Sequence, residues 1–273
     1  MSIDVSIVII NYNTFQLACS CIKSVLEKTR GIRPEIILID NGSSERDPED
    51  FKKLFPEIIL IKSPGNVGFA RGNNLGIQRA RGKYVLLLNS DTVLKNNAVT
   101  ICKNFLEDNS NVAVAASRLE YPDGCIQHSC QRFPSVPALL FELFRLQKLF
   151  PLIKKKLFGP FFDYRSVAYP DWVWGTFFMF RKDLLDKLPG QKLSDDFFMY
   201  VEDMQWCREF KRIGYKTVFL PSAHVVHFMG GSGGQKSVLM RQNLDAFMIS
   251  YYPRWQRLLI RLLNFFLTGR YGH

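Results

Sequence analysis

Val5-Ser-Ile-Val-Ile-Ile-Asn-Tyr-Asn-Thr14 is a β-branched apolar run that breaks off into four polar residues, and it opens a phrase repeated through residue 92. The phrase is an apolar run, a polar turn, and an amphipathic stretch of helical period. It predicts strands over Val5–Ile10, Glu35–Ile39, Ile58–Lys62 and Tyr84–Leu88, and helices over Leu17–Lys28, Glu49–Phe55 and Ala70–Ala80. Because the strands are apolar on both sides, both faces of their sheet must be covered. The expected fold is therefore α/β, a mostly parallel sheet with helices on both faces.

Ligands of such sheets bind beyond the carboxyl ends of the strands. The groups to weigh are Asn11-Tyr-Asn-Thr14, Asp40-Asn-Gly-Ser43 and Asn89-Ser-Asp-Thr92. Neither Gly-x-Gly-x-x-Gly nor a phosphate-binding Gly-x4-Gly-Lys-Ser follows the first strand, which argues against a dinucleotide dehydrogenase and a P-loop NTPase. Asp40 can cap its own turn, or accept a hydrogen bond from a base N–H or a ribose hydroxyl. Tyr12 can stack on a base or simply pack. Asn89 and Asp91 stand two apart in extended chain and so share a side; such an oxygen pair suits a hard divalent cation if a diphosphate supplies further oxygens, and suits turn capping otherwise.

Beyond Asp91 the pattern loosens. A helix is expected over Asn97–Asn109 and strands over Val112–Ser117, Trp172–Arg181 and Tyr215–Leu220, while residues 131–162 are basic, aromatic and punctuated by proline. Trp206, Phe210 and Ile213 give Glu202–Ile213 an apolar helical stripe, placing Glu202 and Asp203 in its first turn. Acids there favour the helix dipole, and a carboxylate there can equally act as a general base. His224 and His227, three apart, should not both face one ion, and either can be structural.

The 273 residues carry 36 Lys and Arg against 25 Asp and Glu, a net charge of +11, with 47% hydrophobic and 14% aromatic residues, which excludes disorder. The excess charge gathers in two places. Arg145, Lys148 and Lys154-Lys-Lys156 alternate with bulky aliphatics, and in the tail Trp255, Leu258, Leu259, Leu262, Leu263 and Phe266 keep helical spacing with Arg254, Arg257 and Arg261 on the other side. A basic amphipathic helix of this kind suits an anionic membrane surface; packing on the body or in a homodimer is its alternative. No nucleic-acid motif is present and the cations sit among aliphatics, so no nucleic-acid partner is expected. The start of the chain has Asp4 and no basic region before its apolar run, unlike a secretory signal, giving an expectation of cytoplasmic residence. Six cysteines form no Cys-x-x-Cys pair, and neither zinc nor a disulfide framework is assigned.

Taken in order, Ser6-Ile-Val-Ile-Ile-Asn-Tyr-Asn13, Ile39-Asp-Asn-Gly-Ser43, Asn66-Val-Gly-Phe-Ala-Arg-Gly-Asn73, Leu86-Leu-Leu-Asn-Ser-Asp-Thr92, Trp172-Val-Trp-Gly175, Phe198-Met-Tyr-Val-Glu-Asp203 and His224-Val-Val-His227 strongly resemble the family 2 glycosyltransferases, nearest to rhamnosyltransferase-like members. The resemblance covers residues 5 to about 232. It implies a GT-A fold over 1–232, with a nucleotide-sugar half (1–91) and an acceptor half (92–232), followed by a basic helical segment over 233–273. It further implies an inverting reaction, a nucleotide-diphosphate sugar donor with dTDP-rhamnose first, and a divalent metal, Mg²⁺ or Mn²⁺. By position Tyr12, Asp40 and Arg71 would hold the base, and Asn66, Asn89 and Gly175 would line the donor site. Asp91 and His227 would bind the metal, with Asn89 a weaker neutral ligand where many members have a first Asp. Asp203 would be the catalytic base, with Glu202 second. A membrane-linked saccharide acceptor, in cell-surface polysaccharide synthesis at the inner face of the membrane, completes the expectation.

Overall fold

The computed structural model describes residues 2–150, 153, 157–229 and 236–271; Lys154-Lys155-Lys156 and the glycine-rich stretch 230–234 lie outside the described residues. Strands β1 (Val5–Asn11), β2 (Pro34–Asp40), β3 (Ile59–Lys62) and β4 (Tyr84–Asn89) alternate with helices α1 (Phe15–Lys28), α2 (Glu49–Leu54) and α3 (Phe69–Arg79). Next come β5 (Thr92–Leu94), α4 (Ala98–Asp108), β6 (Val112–Glu120), β7 (Cys130–Gln131), α5 (Val136–Leu143), β8 (Trp172–Val173) and β9 (Phe177–Arg181). The chain continues through α6 (Glu202–Arg212) and β10 (Lys216–His227) to a helical tail, α7 (Lys236–Tyr251) and α8 (Arg254–Tyr271).

Eight strands form one sheet in the order β3-β2-β1-β4-β9-β6-β10-β5. The first four are mutually parallel, as the sequence phrase requires, and β9 and β5 run antiparallel to their neighbours. Alternate side chains of β1 feed two cores. Ile7 and Ile9 meet Ala18, Ile22 and Val25 of α1 and Val99 and Cys102 of α4, whereas Val8 belongs with Ala70 and Ile77 of α3 and Trp206 and Phe210 of α6. Each large side chain fully buried here, such as Trp206, Phe178 or Ile7, contributes about 1.5–3 kcal/mol relative to exposure.

Two expected strands differ. Trp172–Arg181 is broken in the middle: β8 joins β7 in a separate ribbon and β9 enters the main sheet, because the amides of Trp174 and Gly175 leave the ladder for the Ser129 carbonyl and the Asp203 carboxylate. The last strand runs seven residues further than periodicity suggested, to His227, with a register shift between Leu220 and His224 around Pro221. The histidines thus stand on a strand, with His227 opposite Thr92 of β5. In the tail, Ile260, Leu263 and Leu267 are buried while Trp255, Leu258, Leu259, Leu262, Phe265 and Phe266 are exposed. Leu263 therefore leaves the expected apolar stripe, and the arginines do not lie opposite that stripe. The packed face claims one third of the helix, so the cations take the flank beside the exposed stripe.

Candidate active site

Parallel register aligns the ends of three strands: Asn11 is opposite Asp40, and Ile10 is opposite Asn89. Asp40, almost completely buried, accepts a hydrogen bond from Asn11 Nδ2 at 2.9 Å and one from the Ser43 backbone N–H at 3.2 Å. The capping role is thus real, and each carboxylate oxygen takes one of these bonds, Oδ1 from Asn11 and Oδ2 from Ser43. Tyr12, next in the chain, is 45% exposed at the mouth of this end of the sheet. Thr14 occupies the N-cap position of α1 without capping it; its hydroxyl bonds instead to Asn11 Oδ1 at 3.0 Å and Ser90 Oγ at 2.8 Å, tying the first and fourth strand ends together.

Asn66 braces its own loop. Its Oδ1 accepts from Asn41 Nδ2 at 3.1 Å and from the Gly68 N–H at 3.0 Å, while Asn41 Oδ1 takes the Val67 N–H. Arg71 extends outward, 3.9 Å from the Asp195 carboxylate. Gly68 has φ +86° and sits so close to the backbone of Phe198 that a Cβ would lie 2.4 Å from its carbonyl oxygen; that carbonyl accepts the Phe69 N–H at 2.8 Å.

At the end of β4, Asp91 Oδ1 lies 3.3 Å from His227 Nε2, both side chains largely buried. Gln127, 1% exposed, completes this group and had no signal in the sequence beyond its amide. Its Nε2 donates to the His227 carbonyl at 2.8 Å, so its Oε1 is the atom 2.7 Å from His227 Nδ1. An amide oxygen only accepts, so Nδ1 carries a proton, and Nε2 is the ring nitrogen turned towards Asp91. A carboxylate oxygen and an imidazole nitrogen so placed can share a divalent cation. Asn89 Oδ1 is buried nearby in the chain and accepts no hydrogen bond among the described residues. The donor set, one carboxylate, one imidazole and one amide oxygen, fits Mn²⁺ or Mg²⁺ when a diphosphate fills the rest. Among the described residues no three His, Cys, Asp or Glu side chains cluster, so a ligand's own oxygens would be needed. His224 stands apart, its N–H on Asn96 Oδ1.

Asp203 is reached through the same strand end. The Asn89 N–H bonds to the Thr176 carbonyl at 3.0 Å, and the adjacent Gly175 N–H donates to Asp203 Oδ2 at 2.9 Å. The Met204 N–H holds Oδ1 at 2.8 Å. Burial pushes the Asp203 carboxyl up to about 6, against the pull of these N–H donors. Burial and the neighbouring Asp203 charge raise Glu202 further, to about 8, and its Oε2 has no partner among the described residues. Val201 holds the N-cap position of α6 and makes no side-chain hydrogen bond there.

The loop before this pair is strained and clamped. Tyr200 and Val201 both have positive φ, 69° and 76°, unusual for an aromatic and a β-branched residue. The Phe69 N–H grips Phe198 from the start of α3, and Asn243 Nδ2 on α7 donates to the carbonyls of Met199 at 2.7 Å and Tyr200 at 3.3 Å. Neither clamp was foreseen, since both join residues far apart in the chain.

The chain is similar to proteins already known. The chain is 33% identical over 123 residues to the minor teichoic acid biosynthesis protein GgaA of Bacillus subtilis, a match covering 42% of this chain and 28% of GgaA. It is 20% identical over 216 residues to the N-acetylglucosaminyl-diphospho-decaprenol L-rhamnosyltransferase of Mycobacterium tuberculosis, covering 73% of this chain and 68% of that protein. The chain thus spans well under half of GgaA and more of the rhamnosyltransferase. Among solved structures, GalNAc-T7 with UDP, GalNAc and Mn²⁺ superposes with a TM-score of 0.64 at 15% identity, covering 86% of this chain and 44% of that one. The Pyrobaculum calidifontis mannosyltransferase PcManGT with GDP-Man and Mn²⁺ gives 0.61 at 14%, covering 95% and 68%. These likenesses establish the GT-A fold. The family model for glycosyl transferase family 2 matches residues 6–189, two thirds of the sequence, and the chain belongs to that family.

Proposed function

We propose that the chain is an inverting glycosyltransferase that moves a sugar, L-rhamnose from dTDP-rhamnose in the first instance, from a nucleotide-diphosphate donor to a hydroxyl of a membrane-linked saccharide. The observation that carries this reading is the run of contacts from Asn89 through Thr176 and Gly175 to Asp203. It puts a carboxylate with a pKa near neutrality beside the strand end that holds Asp91 and His227. The rhamnose and the cell-envelope acceptor are supported by the names of the relatives from Mycobacterium and Bacillus alone. The same reading has the enzyme work at the inner face of the membrane.

Asp203, ionised, accepts the proton of the acceptor hydroxyl through one carboxylate oxygen as that hydroxyl's oxygen attacks the anomeric carbon from the face opposite the departing diphosphate; one displacement inverts the centre. Its elevated pKa makes it a stronger base than an ordinary carboxylate, and the Gly175 and Met204 amides fix its orientation. Asp91, His227 and Asn89 would hold a divalent metal, which supplies charge stabilisation to the leaving diphosphate when bound. Tyr12 and Asp40 receive the base, the latter through the lone pairs that Asn11 and Ser43 leave on its two oxygens.

The test is a panel of dTDP-rhamnose, UDP-glucose, UDP-galactose, UDP-N-acetylglucosamine and GDP-mannose with Mn²⁺, Mg²⁺ or EDTA, read by thermal shift and donor hydrolysis. One donor should stabilise the protein, and only with metal. Asp203→Asn should lower turnover by roughly 10²–10⁴-fold with donor stabilisation retained. An Asp203→Asn enzyme at near-normal turnover would remove the base from Asp203.

A further inference from the structure

We infer that α5 and α8 together form a single face that lies on an anionic lipid bilayer. The two segments are more than a hundred residues apart in sequence, yet α8 packs along α5, with Ile260 in the core that Val136 and Leu139 pack against, and Leu263 buried on the same side of the helix. What remains outside is apolar on both. Beside α5, Phe144, Leu149 and Phe150 are 68%, 72% and 48% exposed; on α8, Trp255, Leu258, Leu262 and Phe265 are 59%, 59%, 52% and 72% exposed.

Helical spacing gives α8 three arcs. Ile260, Leu263 and Leu267 point at the body; Trp255, Leu258, Leu259, Leu262, Phe265 and Phe266 point away from it; Arg254, Arg257 and Arg261 fill the remaining arc, directly flanking the exposed stripe. A surface-lying helix needs this order, with its apolar stripe at acyl depth and cations at headgroup level. The charge is one-sided: residues 254–271 contain four arginines and no acidic residue, and although Arg261 pairs with Asp245 of α7 at 2.7 Å, Arg254 and Arg257 beside the exposed stripe lie on a segment with no acid of its own. A face for a second copy of this chain would bring those arginines together, whereas anionic headgroups neutralise them. Charge complementarity therefore selects the bilayer.

The placement suits the acceptor. α8 follows α7 after two residues, and α7 carries Asn243, which holds the loop leading to Asp203. The inference rests on the membrane-linked acceptor of the proposed function, but its assay contains neither donor nor acceptor.

The experiment is co-sedimentation of the full chain with vesicles of equal parts phosphatidylglycerol and phosphatidylcholine, against vesicles of phosphatidylcholine alone. The wild type should partition to the anionic vesicles. The double variant Leu258→Glu/Leu262→Glu, both positions exposed, should lose roughly a hundredfold in partitioning with an unchanged melting temperature. Arg254→Gln/Arg257→Gln should lose roughly fivefold per arginine. A wild type that stays in the supernatant would overturn the inference, as would a dimer in sedimentation velocity that the leucine double variant dissociates. Donor-dependent thermal stabilisation, measured on the same variants, reports separately on the glycosyltransferase reading.

Discussion

Gly68→Ala probes the contact that fixes the catalytic loop. The added Cβ would stand 2.4 Å from the Phe198 carbonyl oxygen and 2.8 Å from its ring, about an ångström short of ordinary contact at 3.4 Å. Backbone cannot yield as a flexible side chain does, so Phe198 must retreat and its 2.8 Å bond from the Phe69 N–H lengthens or breaks. Alanine at φ +86°, ψ 178°, backbone essentially reserved for glycine, costs about 1–3 kcal/mol and the lost hydrogen bond about 0.5–1.5 kcal/mol, together about 1.5–4.5 kcal/mol. For a chain of this size that is a fall of roughly 3–15 °C in melting temperature. The functional loss should be larger than the stability loss suggests. Phe198 leads in five residues to Asp203, and a displacement of an ångström at a reacting group costs on the order of 10²-fold in rate. Differential scanning fluorimetry and single-turnover sugar transfer measure the two. Gly65→Ala is the control, because its Cβ meets nothing within 4 Å and its φ is not positive. Equal melting temperature and equal turnover in Gly68→Ala and Gly65→Ala would refute the proposed clamp.

Glu202, with its pKa raised by burial, favours the folded state while protonated; that contribution is complete below the unfolded value near 4.5 and is lost as pH rises through about 8. Glu202→Gln should therefore flatten the decline in melting temperature across that window, and an unchanged slope would mean Glu202 is not held neutral. Turnover, which needs ionised Asp203, should rise with pH through about 6 in a kcat profile. Gln127→Leu removes the acceptor on His227 Nδ1, and Mn²⁺ binding followed by electron paramagnetic resonance should weaken roughly 10–100-fold, with Gln127→Glu retaining more of it. Asn243→Ala leaves the Met199 and Tyr200 carbonyls without their side-chain donor and should lower kcat about tenfold or more while donor KM holds; a matching rise in KM would point to a general loosening instead.

The parallel half was legible because its signal is local. Apolar runs over Val5–Ile10 and Tyr84–Leu88 and helical spacing in Leu17–Lys28 each fall within one residue or two of the observed elements. Asp40, Asn89, Asp91 and Asp203 could be picked out because strand ends and a helix start are readable positions. What was lost depends on contacts between distant residues. The break at Trp174 and Gly175 follows from amides drawn to Ser129 and Asp203, and no window of sequence around residue 175 contains either partner. The length of β10 follows from pairing with β6 and β5 past Pro221, a residue that locally argues for a stop. The third arc of α8 needs a packing partner to define it. Gln127 is an ordinary glutamine until β10 brings His227 against it, 100 positions later.

The strained turn at Tyr200 and Val201 explains why the base needs two anchors. Left-handed backbone at two consecutive bulky residues costs on the order of 1–3 kcal/mol each, and a free loop would relax by rotating the first turn of α6, taking Asp203 off the Gly175 amide. Phe69 and Asn243 resist this from two sides, one at the start of α3 and one on α7. Their combined three hydrogen bonds, at about 0.5–1.5 kcal/mol each, are comparable with the strain, so neither clamp alone suffices. The aim of Asp203 therefore depends on the loop that carries Gly68 and on α7 at once. It follows that perturbing either Gly68 or Asn243 should move the same observable, the rate at which Asp203 takes its proton, and that the double variant should cost less than the two single losses multiplied, since the first release already lets the turn relax.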